Sequence, residues 1–316
     1  MVPTEAAAYA LLEDLRWHGQ PVCPHCGSAA EHRYIEPRNG VSRKTRTGSM
    51  SERRVWRCAE RECRKQFSVL TGTVMHGTKI SVRTWVLVFF EFVSSKNSIS
   101  AWAVSRKYEI TNESAWHMLH RLREAAKENP LTGVLSGAVQ ADETWIGGKP
   151  SNRHRTAPSE PRRGPAHTDK QPVFSLVHYE TRAVRSHVVA DVTGVSLLPA
   201  MREVTDLPNV WLQSDGGPAY KSIAPHVRDH QWVDHNSGQY VGPGGVGTNL
   251  VENFFSQLKR SIDGTHHHVS REHLARYLAQ FDFMFTHCRR TDSERMRLRL
   301  ANVGGRRLTY KPLQAR

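Results

Sequence analysis

The side chains best able to do chemistry fall into two groups, four cysteines near the start of the chain and three acids spread over its second half. Cys23 and Cys26 stand in PVCPHCGS with two residues between them, and Cys58 and Cys63 stand in WRCAEREC with four between them. Two such pairs, each on a turn and separated by a loop from Ala30 to Arg57, have the form of a zinc ribbon. Each turn supplies half of a tetrahedral thiolate site, and four thiolates leave no coordination position for water, so the expected Zn²⁺ is structural. Cys288 makes the cysteine count odd, which argues against a disulfide framework; it reads as a buried thiol rather than a nucleophile.

The acids are singled out by position. Asp142 ends the extended run GAVQAD, Asp215 ends the short buried strand NVWLQSD, and Glu252 lies in GTNLVENFFSQLKR. At about 100° per residue, that last stretch puts Leu250, Val251, Phe254, Phe255, Leu258 and Ile262 on one side of a helix, with Asn249, Glu252, Asn253, Ser256, Lys259 and Arg260 on the other. Three converging carboxylates repel one another unless divalent cations neutralise them, and all-oxygen ligands suit Mg²⁺ or Mn²⁺. Two such ions can activate an attacking oxygen and stabilise a leaving one in phosphoryl transfer. Asn249, one turn before Glu252, offers a neutral carbonyl as a second ligand or an orienter of water. Lys259, two turns beyond it, is a fixed cation suited to a phosphate. Each acid has a plainer alternative: Asp215 as a turn or cap residue, Glu143 rather than Asp142 as the inward side chain, and the polar helix face as simply solvated.

The intervals constrain the elements that must position these groups. Asp215 follows Asp142 by 73 residues, room for two strands and a helix, and Glu252 follows Asp215 by 37, room for a helix and a loop. PVFSLVHYE and AVRSHVVADV alternate as antiparallel strands, and VSLLPAMREV and GGPAYKSIAPHVRDH read as helices. The order is that of an α/β domain similar to the ribonuclease-H-like catalytic core. Ahead of it, VRTWVLVFFEFVSS, SISAWAVSRKYEI and ESAWHMLHRLREAAKE read as helices. The last two form a candidate helix-turn-helix, with His117, Arg121 and Arg123 on its second helix as candidate DNA contacts. The expected division is a zinc ribbon over 1–80, a helix-turn-helix domain over 81–132, the catalytic domain over 133–290 with a basic, proline-rich insert at 147–172, and a solvated basic tail over 291–316. Arg260, and His267 in the HHH run before REHLARYL, are further candidate DNA contacts.

A formal charge of +14 calls for a polyanionic partner. The longest apolar run, Trp85 to Val93, is broken by Glu91 and too short to span a membrane, and the N-terminus carries acids where a secretory signal is cationic. A cytoplasmic, nucleoid-associated protein is expected.

Taken together, CPHC…CAEREC with QFSVLTGTVMHGTKI, SISAWAVSRKYEITNESAWHMLHRLRE, ADETWIGGK, SDGGPAY and GTNLVENFFSQLKRSIDGTHHHVSREHLARYL resemble the bacterial insertion-sequence DDE transposases of the insertion-sequence fifteen-ninety-five family. The resemblance runs from about residue 20 to about residue 290. It implies a transposase that binds the terminal inverted repeats of its element as a homo-oligomer on double-stranded DNA, releases 3′ hydroxyls and joins them to target DNA. The positions matching the family's metal ligands are Asp142, Asp215 and either Glu252 or Asn249; charge neutralisation favours Glu252. FMFTHCRR departs from the family's Asn-Arg-Arg ending. A DNA-binding regulator without catalysis and a structure-selective nuclease on the same core are the competing readings.

Overall fold

The computed structural model describes residues 2–36, 43–44, 50–51, 54–127, 133–147, 170–234, 241–242, 245–305 and 307–309. Most of the basic insert and the end of the tail lie outside them. Two compact units emerge: residues 1–95, 99–125 and 290–316 form the first, and residues 96–98 and 126–289 the second.

In the first unit, α1 (Glu5–Trp17) precedes five two-residue strands, β1 (Arg33–Tyr34), β2 (Arg43–Lys44), β3 (Met50–Ser51), β4 (Trp56–Arg57) and β5 (Gln66–Phe67). β1, β4 and β5 make the ribbon sheet, stacked on an aromatic group in which Trp17 meets Trp56 and Phe67 edge-on. Three helices follow, α2 (Val82–Ser94), α3 (Ala101–Tyr108) and α4 (Asn112–Ala126). Glu5 of α1 accepts the Val82 and Arg83 N–H groups at 2.7 and 2.8 Å, placing a carboxylate where the α2 dipole is positive.

Two expectations are corrected here. The tail is not simply solvated: residues Asp292–Ala301 form a helix, numbered α9 because it closes the chain, that packs on α1 and α2. A capping box between Thr291 and Glu294 starts it, Leu300 and Val303 are buried, and Arg295 and Arg299 donate to the Val93 and Ala125 carbonyls. Its basic composition hid a short apolar stripe. Secondly, α4 does not offer Arg121 and Arg123 to a groove. Both are buried, since Ala115, Met118, Leu119, Leu122, Ala125 and Ala126 make α4 a core helix and draw the flanking arginines inward. Arg121 lies over the Trp85 ring and donates to the His76 carbonyl at 2.7 Å. His117 is half-buried and hydrogen-bonded to the Leu308 backbone.

The second unit is built on a five-stranded sheet. β6 (Leu135–Ile146), β7 (Gln171–His178) and β8 (Val184–Val188) run antiparallel in succession; β9 (Thr205–Ser214) lies parallel to β6 on its other side, and β10 (Asp229–Trp232) lies parallel to β9. The order is β10-β9-β6-β7-β8. The crossover from β8 to β9 carries α5 (Gly194–Val204), that from β9 to β10 carries α6 (Pro218–Ile223), and α7 (Asn249–Ser261) and α8 (Arg271–Thr286) follow. Strand alternation divides the core into two layers. Val139, Ala141, Phe174, Leu176 and Leu212 pack with Leu197, Met201, Tyr220 and Ile223 of α5 and α6, while Ile146, Val173, Val177 and Val184 pack with the apolar faces of α7 and α8. β7 already begins at Gln171, inside the range expected for the insert. At the β8 edge, Asp282 accepts the Ser186 N–H at 3.0 Å and Thr286 accepts the Val184 N–H at 3.0 Å, so α8 occupies donors that an open edge would expose.

Candidate active site and metal centre

In the ribbon, the Sγ atoms of Cys23, Cys26, Cys58 and Cys63 all lie within 4.8 Å of one another. Cys23 and Cys63 are 3.8 Å apart and Cys26 and Cys58 3.6 Å. A tetrahedron of Zn–S bonds has an edge of about 3.8 Å, so the quartet is gathered on the scale of a zinc site. Each pair is bent by a turn with a left-handed residue just past it, Gly27 at φ +75° and Arg64 at φ +46°. Gly27 N–H donates to the Cys23 carbonyl and Cys63 N–H to the Glu60 carbonyl, so the wider second spacing still closes. Burial and its sulfur neighbours push the Cys58 thiol up to about 12, the direction expected where thiols crowd before an ion displaces their protons.

In the core, the two aspartates are placed by register. The last parallel pair between β6 and β9 is Gln140↔Gln213, whose offset of 73 is that of Asp142 and Asp215. Each aspartate therefore stands two residues past the same rung, on the sheet face that carries α7 and α8. Asp142 is not at the end of its strand, since β6 runs on to Ile146 paired with β7; it lies two residues past the last pair with β9. Asp215 is exposed and begins a tight turn, accepting the Gly217 N–H at 3.0 Å, with Gly216 at φ +74° and Pro218 opening α6.

A pair of amides ties the third element to these strands. Gln140, 2% exposed, donates from Nε2 to Gln213 Oε1 at 3.2 Å, while its Oε1 accepts the Leu250 and Val251 N–H groups at 2.9 and 3.4 Å. Gln213 Oε1 also accepts the Gly247 N–H at 3.5 Å. The first N–H groups of α7, which have no partner within the helix, are thus satisfied from the sheet, one rung below the aspartates. Glutamine two residues before each aspartate, in VQAD and LQSD, was the sequence signal for this pair.

On α7 the buried face is the expected one, with Val251, Phe254, Phe255, Leu258 and Ile262 in the core. Asn249, Lys259 and Arg260 are exposed; Glu252 is half-buried, its Oε1 accepting the Thr248 hydroxyl at 2.6 Å. Beyond α7 a π-helical turn, Ile262–His266, leads to His267, exposed, left-handed at φ +58° and bonded through Nδ1 to the Asp263 carbonyl. Among the described residues, the cysteine quartet is the group of three or more potential ligands gathered to metal distance; Asp142, Asp215 and Glu252 do not form a second. Cys288 is exposed rather than buried, because it falls just past the end of α8.

Glu143, weighed from the sequence as the inward alternative to Asp142, lies on the opposite face of β6. It points to the α6 side, where buried Tyr220 donates to its Oε1 at 2.6 Å, and its own N–H donates to Asp142 Oδ1 at 2.7 Å. Burial, together with the charges of Asp142 and Asp215 and against the opposing Tyr220 hydrogen bond, raises its carboxyl to about 7. Both aspartates are therefore close enough to act on one carboxyl, which concentrates negative charge where a divalent cation would be held.

The α/β core and the cysteine-quartet ribbon ahead of it in sequence each match a transposase domain family. Residues 134–286 match the ISXO2-like transposase domain and residues 3–66 the transposase zinc-ribbon domain. The chain belongs to the insertion-sequence transposases that its motifs resemble. It is similar to the uncharacterized protein in transposable element ISH50 of Halobacterium salinarum, 27% identical over 288 residues that cover 88% of this chain and 90% of that one. Among solved structures it is similar to a chain of a simian T-cell lymphotropic virus intasome in complex with PP2A regulatory subunit B56 gamma (16% identity, 62% of this chain, 68% of that one, TM-score 0.30). Another is a chain of a pre-cleavage Mos1 transpososome (11%, 68%, 78%, TM-score 0.28). No described helix is long and apolar enough to cross a membrane.

Proposed function

We propose that the chain is a metal-dependent DNA transposase that binds the terminal inverted repeats of its element, cuts strands there and transfers the 3′ ends to target DNA. The observation that carries this reading is the common level of Asp142 and Asp215 on adjacent parallel strands, with the start of α7 bonded to the rung beneath them. Asp142 and Asp215, with Glu252 or Asn249, would hold Mg²⁺ or Mn²⁺; the charge that the aspartates impose on Glu143 suits a divalent cation. The ions would supply activation of the attacking oxygen and stabilisation of the leaving one. Glu252, whose Oε1 accepts the Thr248 hydroxyl, would turn toward them on metal binding, whereas Asn249 is solvent-facing and uncharged. Lys259 and Arg260, exposed further along α7, serve as phosphate contacts, and His267 as a backbone contact past the π turn. The overall charge of +14 supports a DNA partner, and zinc in the quartet shapes the ribbon without chemistry of its own.

The test is strand cleavage and strand transfer on DNA carrying the element ends. Asp142→Asn and Asp215→Asn are each expected to lower cleavage by at least about 10³-fold, the loss of several kcal/mol of metal-borne stabilisation, with end binding retained. Variants that cut like the unaltered protein would leave a DNA-binding regulator. Cleavage that never yields joined products, even in the unaltered protein, would leave a nuclease.

A further inference from the structure

Trp232 is 61% exposed, although large apolar side chains at strand positions are ordinarily covered. It ends β10 paired with Ser214, the residue before Asp215. Its bed is rigid. A β-carbon on Gly216 would stand 2.7 Å from Trp232 Cδ1, so only glycine lets the backbone after Asp215 lie this close to the indole. Behind it, His230 lies 5.7 Å from the Trp232 ring at 39°, and Tyr220 lies 6.0 Å from His230. His230 Nε2 is 2.8 Å from the Ser214 hydroxyl, which accepts the Gly216 N–H at 3.2 Å. The indole is thus backed by His230 and Tyr220 on the α6 side of the sheet, open outward, and level with Ser214 at the strand ends, so a base reaches it from Asp215 by passing round the end of β9.

We infer that Trp232 is a stacking platform for an unpaired nucleobase beside the cleaved phosphate. The inference rests on the transposase reading and adds to it a required state of the DNA. A strand whose phosphate lies at the Asp215 carboxylate carries its flanking base to the edge strand, where a flat apolar ring on a cationic protein offers what a π-face binds. A base within a duplex has both faces covered by its neighbours, so only one that has left the stack can use the platform. A second copy of this chain is the rival occupant of an exposed indole.

The experiment is a thermodynamic cycle with end-containing duplexes, measured in Ca²⁺ so that binding is read without cleavage. An abasic site replaces, in turn, each nucleotide flanking the cleavage position, and each duplex is titrated with the unaltered protein, Trp232→Ala and Trp232→Phe. Trp232→Ala is expected to weaken binding roughly tenfold, the scale of one base–aromatic stack. One abasic position should weaken the unaltered protein equally, with no further loss when the two changes are combined, and Trp232→Phe should recover most of the affinity. Additive losses at every position, or affinity unchanged in Trp232→Ala, would overturn the inference. So would a Trp232→Ala chain that binds DNA normally but sediments with a lower mass. Failure of the unaltered protein to prefer end-containing DNA would instead overturn the transposase reading beneath it.

Discussion

The ribbon and the core each assemble ligands from distant stretches of chain, and they do so to different degrees. Four sulfurs lie within 4.8 Å of one another, whereas Asp142 and Asp215 share a level of the sheet and Glu252 is turned back to Thr248. The groups differ in charge. Protonated thiols are neutral and can crowd together before an ion arrives, but carboxylates ionised near neutral pH repel one another and gather only around a cation. A ribbon can therefore close on local turns alone, while the core fixes two acids by register and keeps the third on a helix tied down by a neighbouring amide pair.

The largest effect that tests this contrast is expected in the ribbon. Cys58→Ser should abolish stoichiometric zinc and leave the ribbon unfolded, since binding energies on the order of 10 kcal/mol are folding energy in such sites. Metal analysis with limited proteolysis reads both, and a Cys58→Ser chain that kept its zinc and its protease resistance would break the comparison. Zinc affinity of the unaltered chain should fall as pH falls, because the ion competes with protons on thiols such as Cys58, raised to about 12.

An intermediate effect is expected from the amides. Gln140→Met keeps the shape but removes the acceptor for Leu250 and Val251 and the donor to Gln213. Mn²⁺-dependent cleavage should drop by about 10- to 100-fold, as for partners that orient metal ligands, with the deficit relieved at high Mn²⁺. A fall that no metal concentration relieves would assign Gln140 to folding alone.

The smallest effect concerns Glu143. Its folded pKa of about 7 lies above the ordinary value of 4.5, so the folded chain holds a proton that the unfolded chain has lost; stability is whole below about pH 4.5 and declines up to about pH 7. Glu143→Gln keeps an acceptor for Tyr220 and should stabilise the fold by about 2 kcal/mol at pH 8, after allowance for partial exposure, and by little near pH 4.5. Urea unfolding in buffer without divalent cations measures it, and equal gains at both pH values would contradict the assignment.

What the sequence disclosed follows the same divide. The cysteine spacing announced the ribbon because the turns that position each pair lie between or beside its members. Asp142 and Asp215 were legible as acids on separate strands, since their interval suits the α/β order, but β6 continues past Asp142, and their equivalence depends on a pairing register that composition does not encode. The Gln140–Gln213 bond and the Tyr220–Glu143 contact join residues 73 and 77 apart, so no local pattern identified them as partners. On α4 the fault was one of face: charge at Arg121 and Arg123 suggested an exposed surface, but the apolar stripe around them is wide enough to bury them. Likewise α9 was obscured by its arginines, although Thr291 and Glu294 carry the spacing of a capping box.

That last helix bears on how the chain is made. The sheet unit is nearly contiguous, over residues 126–289, and all its strands have emerged before α9 is translated. The unit holding the ribbon draws on three separate stretches, and α1 and α2 wait for residues 292–301 before their shared surface is covered. During synthesis, then, the unit that contains α1 finishes folding after the sheet unit, and the apolar surface of α2 stays uncovered by α9 until residues 292–301 have left the ribosome.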